Sequence, residues 1–170
     1  MNNLKSIIVT LCLAFLASSG LAFAEPVAEV SADSRCQVCG MFVAKYPNWA
    51  TQIHSEGGKV ALFDGVKDMM VFYSNSEKYG TNADAIKEIW VKDYYTLNWL
   101  DGRKAFYVVG SDIHGPMGHE FIPFASQESA QSFLKDHQGN AILTFAEITS
   151  EKVESMRMGM KMKNMKMKME

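Results

Sequence analysis

Two short stretches of this chain hold residue types that can grip a soft metal ion. Residues 35–41, RCQVCGM, carry two thiols, Cys36 and Cys39, and a thioether, Met41, two residues past the second thiol. Residues 114–119, HGPMGH, carry the thioether Met117 between the imidazoles of His114 and His119. Thiolate, thioether and imidazole suit Cu(I) and Zn(II) far better than Mg, Ca or Mn. The expectation is that the two stretches meet in space and bind Cu(I) through Cys36, Cys39, Met41, Met117, His114 and His119.

The cysteine pair has other readings. An oxidising compartment favours a structural disulfide. A thioredoxin-like redox pair would open a helix, whose N-terminus lowers a thiol pKa. Here Gly40 and the strand-like MFVAK follow instead. A structural zinc site wants four ligands, and there is no second cysteine pair. Composition alone leaves disulfide and metal site equally open. Met41 by itself would more often be core, and a loop methionine such as Met117 is usually packing. His54 and His137 read as ordinary satisfied histidines. Asp64, Asp68, Asp93, Asp101 and Asp112 read as caps and turns. No Ser-His-Asp order, phosphate-binding loop or dinucleotide fingerprint stands out, so the reading is of a binding protein and not an enzyme.

The elements that must position these residues follow from hydrophobic period and turn signals. Strand alternation marks residues 41–45, 50–55 and 59–63, with Gly57-Gly58 as a hairpin turn. Asp64 reads as the N-cap of a helix over 66–73, with Val66, Met69, Met70 and Tyr73 on its apolar face. Residues 89–93 form a strand. Residues 105–110 and 120–124 are strands around a Gly/Pro loop, Ser126 caps a helix to His137, and 141–148 is a strand. Compare ALFDGVKDMMVFYSN with IPFASQESAQSFLKD: strand then helix, in the same phase. The class is α+β with mostly antiparallel sheets, built from two tandem ββαβ units over 35–103 and 104–150.

The 170-residue chain has a formal charge of −2, which argues against nucleic-acid binding. The charge is unevenly placed. Residues 25–155 hold eleven basic against eighteen acidic side chains, and residues 156–170 hold five against one. That tail, MRMGMKMKNMKMKME, contains seven of the twelve methionines. With no partner strand and no branched residue over 156–170, the tail, residues 151–170, reads as disordered. It suits weak Cu(I) scavenging and contact with an acidic partner or anionic lipid. At the other end, Lys5, the apolar run 7–16 and Ala22-Phe23-Ala24 read as a signal peptide over 1–24, cleaved before Glu25. Leu11 stands before Cys12 where a lipobox needs a small residue. Residues 25–34 read as a flexible lead-in to an exported, periplasmic protein.

From residue 36 to 148 the chain resembles the NosL family, copper-binding accessory proteins for nitrous oxide reductase. The likeness rests on CQVCGMFVAKYPNWATQI, FDGVKDMMVFY and VKDYYTLNWLDGRKAFYVVGSDIHGPMGHEFIPF. It implies two ββαβ units related in fold to the organomercurial lyase MerB, and a metallochaperone that delivers Cu(I) to an exported apo-enzyme. It also implies an ABC-type membrane complex as partner. Cys36, Cys39 and Met41 match the family's CxxCGM motif, and Met117 matches GPMG. Family members are commonly lipoproteins, and the Met/Lys tail lies outside the family pattern. The reading from a different class is a thiol oxidoreductase that keeps cysteines of a copper site reduced.

Overall fold

Strand alternation and one glycine-rich turn shape the first half. The computed structural model describes residues 25–167, of which 159–167 are described for their backbone alone. The signal segment and the last three residues of the tail lie outside the described residues. β1 (Thr51–Ser55) and β2 (Lys59–Phe63) form an antiparallel hairpin across Glu56–Gly58. The helix α1 (Val66–Ser74), the strand β3 (Ile86–Lys92) and the short β4 (Trp99–Asp101) follow. The sheet order is β2-β1-β3-β4. β1 is central, and four of its five residues are buried, so both faces are covered.

The second half repeats the pattern. β5 (Phe106–Val109) is followed by a two-stranded hairpin, β6 (His114–Gly115) and β7 (Gly118–His119), and then β8 (Ile122–Phe124), α2 (Gln127–Asp136) and β9 (Ala141–Thr144). The order β8-β5-β9 again puts the first strand between the second and third, antiparallel to both. The β6–β7 hairpin is thus an insertion into the second unit. The result is α+β with antiparallel sheets.

The second sheet is apolar on both faces and joins the two units. Val108, Ile122 and Phe124 pack against Ala130 and Phe133 of α2. Tyr107 and Leu143, on the opposite face, join the larger core made by Ile53, Phe63, Met69 and Ile89. Each such fully buried side chain contributes ~1.5–3 kcal/mol relative to exposure. Polar links reinforce the seam. Tyr94 N–H donates to the Pro123 carbonyl at 2.9 Å, and Ala125 N–H donates to Asp93 Oδ2 at 2.8 Å.

Four expectations need correction. Residues 41–45 do not form a strand: Phe42 makes a single bridge with Arg35, and Val43–Lys45 is a 3-10 turn. The chain has just doubled back through the cysteine turn, which leaves room for one ladder pair. The last strand stops at Thr144, because Glu147 Oε2 accepts from the Thr144 N–H at 2.7 Å and starts the 3-10 turn Phe145–Glu147. The lead-in is tied down at Val27, whose N–H and carbonyl both bond the Gln52 side-chain amide. The tail begins as a helix, α3 (Ser150–Met167), not a disordered segment. Methionine and lysine are both good helix formers, and Val153, 1% exposed, anchors the first turns to the core. The alternation of Met with Lys mimics a strand period without imposing one.

Candidate metal centre

The cysteine turn is built by its own backbone and then pinned to the sheet. Cys36 N–H donates to the Met41 carbonyl at 2.8 Å, and Gly40 N–H donates to the Cys36 carbonyl at 2.9 Å. This closure needs φ of +76° at residue 40, which glycine adopts without strain. Outside the turn, the Arg35 guanidinium lies 3.7 Å from the Phe42 ring centroid and donates to the Gly40 carbonyl at 3.0 Å. Gln37 N–H donates to the Leu62 carbonyl at 3.1 Å, which holds the thiols beside the end of β2.

Two aspartates meet the thiols there. Cys36 Sγ donates to Asp68 Oδ2 at 3.5 Å, and Cys39 Sγ donates to Asp64 Oδ1 at 3.4 Å. One ligand atom from each of Cys36, Cys39, Asp64 and Asp68 lies within 4.8 Å of all the others. Cys36, Asp64 and Asp68 are buried and Cys39 is half-buried. Asp64 Oδ2 is buried with no hydrogen-bond partner. An orphaned carboxylate oxygen in the interior costs about 1–3 kcal/mol or more, and a cation beside it would remove that cost. The residues therefore fit a metal ion on geometry and donor chemistry alike.

Asp64 is available because it does not cap α1. Gly65 is the N-cap residue and has no side chain to offer. The cap comes from the other unit: Glu120 Oε1 accepts from Lys67 N–H at 2.6 Å and from Phe121 N–H at 3.0 Å. A Cβ at Gly65 would collide with Glu120 Oε2, so the glycine makes space for the borrowed cap. Burial pushes the Glu120 carboxyl up to about 8.

Burial dominates the thiols as well. It pushes Cys36 up to about 12, and the Asp64 carboxylate beside it adds to the rise. Cys39 is raised further, by burial first and then by Asp68 and Cys36. Both are free thiols, protonated at neutral pH. A protonated, buried thiol is a poor nucleophile. A metal ion that binds the sulfurs must displace these protons, so loading the site releases them.

The remaining predicted ligands fall into two groups. Met41 shares the cysteine turn through its carbonyl and is half-buried. His114, Met117 and His119 lie on the β6–β7 hairpin, with His114 opposite His119 and their ring centroids 4.6 Å apart. Lys67 Nζ donates to the Met117 and His119 carbonyls, both at 2.7 Å, and so fastens the hairpin to α1. Neither histidine belongs to the thiol–carboxylate quartet. Asp64 and Asp68 are the residues that sequence reasoning missed. Their i, i+4 spacing astride a helix start was a visible signal, but it fits an ordinary cap equally well. His54 is satisfied as expected: its Nε2 meets Gln52 Oε1 at 2.9 Å, and burial lowers its pKa.

Fold and site together define the class: a small, duplicated α+β protein with a buried thiol–carboxylate site able to hold a metal ion. A family profile described as NosL matches residues 26–153, and the chain belongs to the NosL family. It is 29% identical over 165 residues to the copper-binding lipoprotein NosL of Achromobacter cycloclastes, across 89% of this chain and 83% of that protein. It is 30% identical over 129 residues to the copper-binding lipoprotein NosL of Stutzerimonas stutzeri, across 73% of this chain and 66% of that protein. The crystal structure of the copper chaperone NosL from Shewanella denitrificans matches with a TM-score of 0.66 at 23% identity. It covers 76% of this chain and 99% of that chain, a likeness of fold. Both curated relatives are named lipoproteins.

Proposed function

We propose that this protein is an exported, periplasmic Cu(I) chaperone that supplies copper for maturation of nitrous oxide reductase or a related copper respiratory enzyme. The observation that carries the reading is the Cys36/Cys39 pair, buried and half-buried, hydrogen-bonded to Asp68 and Asp64, in a chain whose relatives are named copper-binding. Copper is cargo here, and no bond of an organic substrate is made or broken.

Cu(I) accepts two or three soft ligands, and Cys36 and Cys39 supply two. Each thiol gives up its proton to solvent as sulfur binds the ion. Release runs the steps backwards: a partner's sulfur or imidazole replaces one thiolate, which takes up a proton again. Met41 and Met117 are neutral thioethers suited to hold the ion during that exchange. The thiol oxidoreductase reading is disfavoured, because disulfide exchange starts from a thiolate and burial raises both thiols.

The test is anaerobic transfer. The Cu(I)-loaded protein is mixed with apo-nitrous oxide reductase and its ABC-type membrane assembly complex. Enzyme loading should run faster than from a small chelator buffering the same free Cu(I). Equal rates from protein and chelator would remove the chaperone role.

A further inference from the structure

The methionine-rich helix is left over when the thiol–carboxylate site is described. All but its first four residues lie beyond the matched family segment, which ends at residue 153. α3 packs beside α1 and against β7. Val153 fixes its start in the core, and Met156, one turn on, packs half-buried against the same core. Met156 and His119 line one cleft of about 480 Å³, with Phe121, Leu143, Lys152 and Ser155 also in its walls. Met158 is 55% exposed, a large apolar side chain held out in water.

From this placement we infer a second Cu(I) site, formed by the Met156 thioether and the His119 imidazole in the cleft between α3 and β7. Both ligands are neutral and soft or borderline, so the class of ion is Cu(I) or its mimic Ag(I), not Zn(II), Mg(II) or Ca(II). Neutral donors bind less tightly than thiolates, and Lys152 in the cleft wall weakens cation binding further. Both effects favour onward movement toward the tighter thiol site. The hairpin supplies a path: His119 is two residues from Met117, and Lys67 holds both backbones against α1, the helix that carries Asp68. His119 is kept in place by that clamp and by the facing His114 ring. This inference rests on the copper reading of the protein, not on the identity of the client.

The test uses the full mature protein under anaerobic conditions, with Cu(I) added in two successive equivalents and methionine ε-methyl resonances followed by NMR. The first equivalent should leave the Met156 methyl in place. The second should shift it, and that shift and the second binding event should vanish in both Met156→Leu and His119→Ala. Met156→Leu conserves volume in the core, and it should leave the first equivalent's affinity unchanged. A second equivalent that leaves Met156 unmoved, or that binds both variants as before, overturns the site. The two readings fail separately. Cys36→Ser/Cys39→Ser that retains the first tight site contradicts the thiol–carboxylate reading, while the Met156 shift with added Cu(I) still decides the second site.

Discussion

The β2–α1 and β8–α2 junctions are the same piece of architecture used in two ways. Both link the second strand of a ββαβ unit to its helix, and both begin at a buried phenylalanine, Phe63 in one and Phe124 in the other. In the second unit the helix start is self-sufficient: the Ser126 hydroxyl accepts from Ser129 N–H at 3.1 Å. In the first unit the equivalent residue is Gly65, and Asp64 before it faces Cys39 instead of the helix. Glu120 then caps α1 from across the unit boundary. The difference shows how a functional site is grafted onto a repeat. The local cap is given up, a carboxylate is released to the thiols, and the repeat partner supplies the missing bond.

Removing the thiols should break the comparison most severely, since it deletes what the first junction was altered to serve. Cys36→Ala should weaken Cu(I) binding by more than about a hundredfold, beyond what loss of an outer-shell partner costs. A competition titration against a chelator of known affinity reads this directly. Ordinary affinity in that variant would separate the junction from metal binding altogether.

Next in size is the borrowed cap. Glu120→Ala leaves the Lys67 and Phe121 amides without their acceptor and should destabilise the fold by roughly 1–3 kcal/mol for each amide left dry. The matching change in the second unit, Ser126→Ala, removes one local cap and should cost about 1 kcal/mol. Denaturant unfolding of the two variants side by side measures the gap. Equal losses would mean that Glu120 is no more than a local cap in effect.

A smaller effect concerns pH. The folded Glu120 carboxyl titrates at about 8 against an ordinary value of 4.5. The native state therefore holds this proton more tightly than the unfolded chain. Its contribution to stability is full below about 4.5 and is lost as pH rises through about 8. Chemical denaturation of the metal-free protein from pH 5 to 9 should show this decline, and Glu120→Gln should flatten it. A slope unchanged by Glu120→Gln would assign the decline to other groups.

The duplicated fold was legible because strand and helix periods repeat in the same order in both halves, and local turn chemistry marks the breaks. Ser126 could be read as a cap because its acceptor and donor are three residues apart. Asp64 could not be read correctly in the same way, because the residue that displaces it, Glu120, lies far along the chain. The thiols were found by type alone. The carboxylates were not, since an aspartate at a helix start has an ordinary explanation that only the positions of Gly65 and Glu120 rule out. The tail was misread for a similar reason. Alternating Met and Lys has a strand's period, and the contact that turns it into a helix is the burial of Val153 against the body.

The central claim is that Asp64 has left the helix cap to serve a metal ion. The most direct measurement is an anaerobic Cu(I) competition titration of Asp64→Ala beside the wild type, with unfolding of both metal-free proteins followed in parallel. The account predicts Cu(I) binding weaker by about tenfold or more, with metal-free stability equal to or above the wild type, because a buried, partnerless oxygen has been removed. Undiminished Cu(I) affinity together with a marked loss of stability would contradict it, and would return Asp64 to an ordinary structural role.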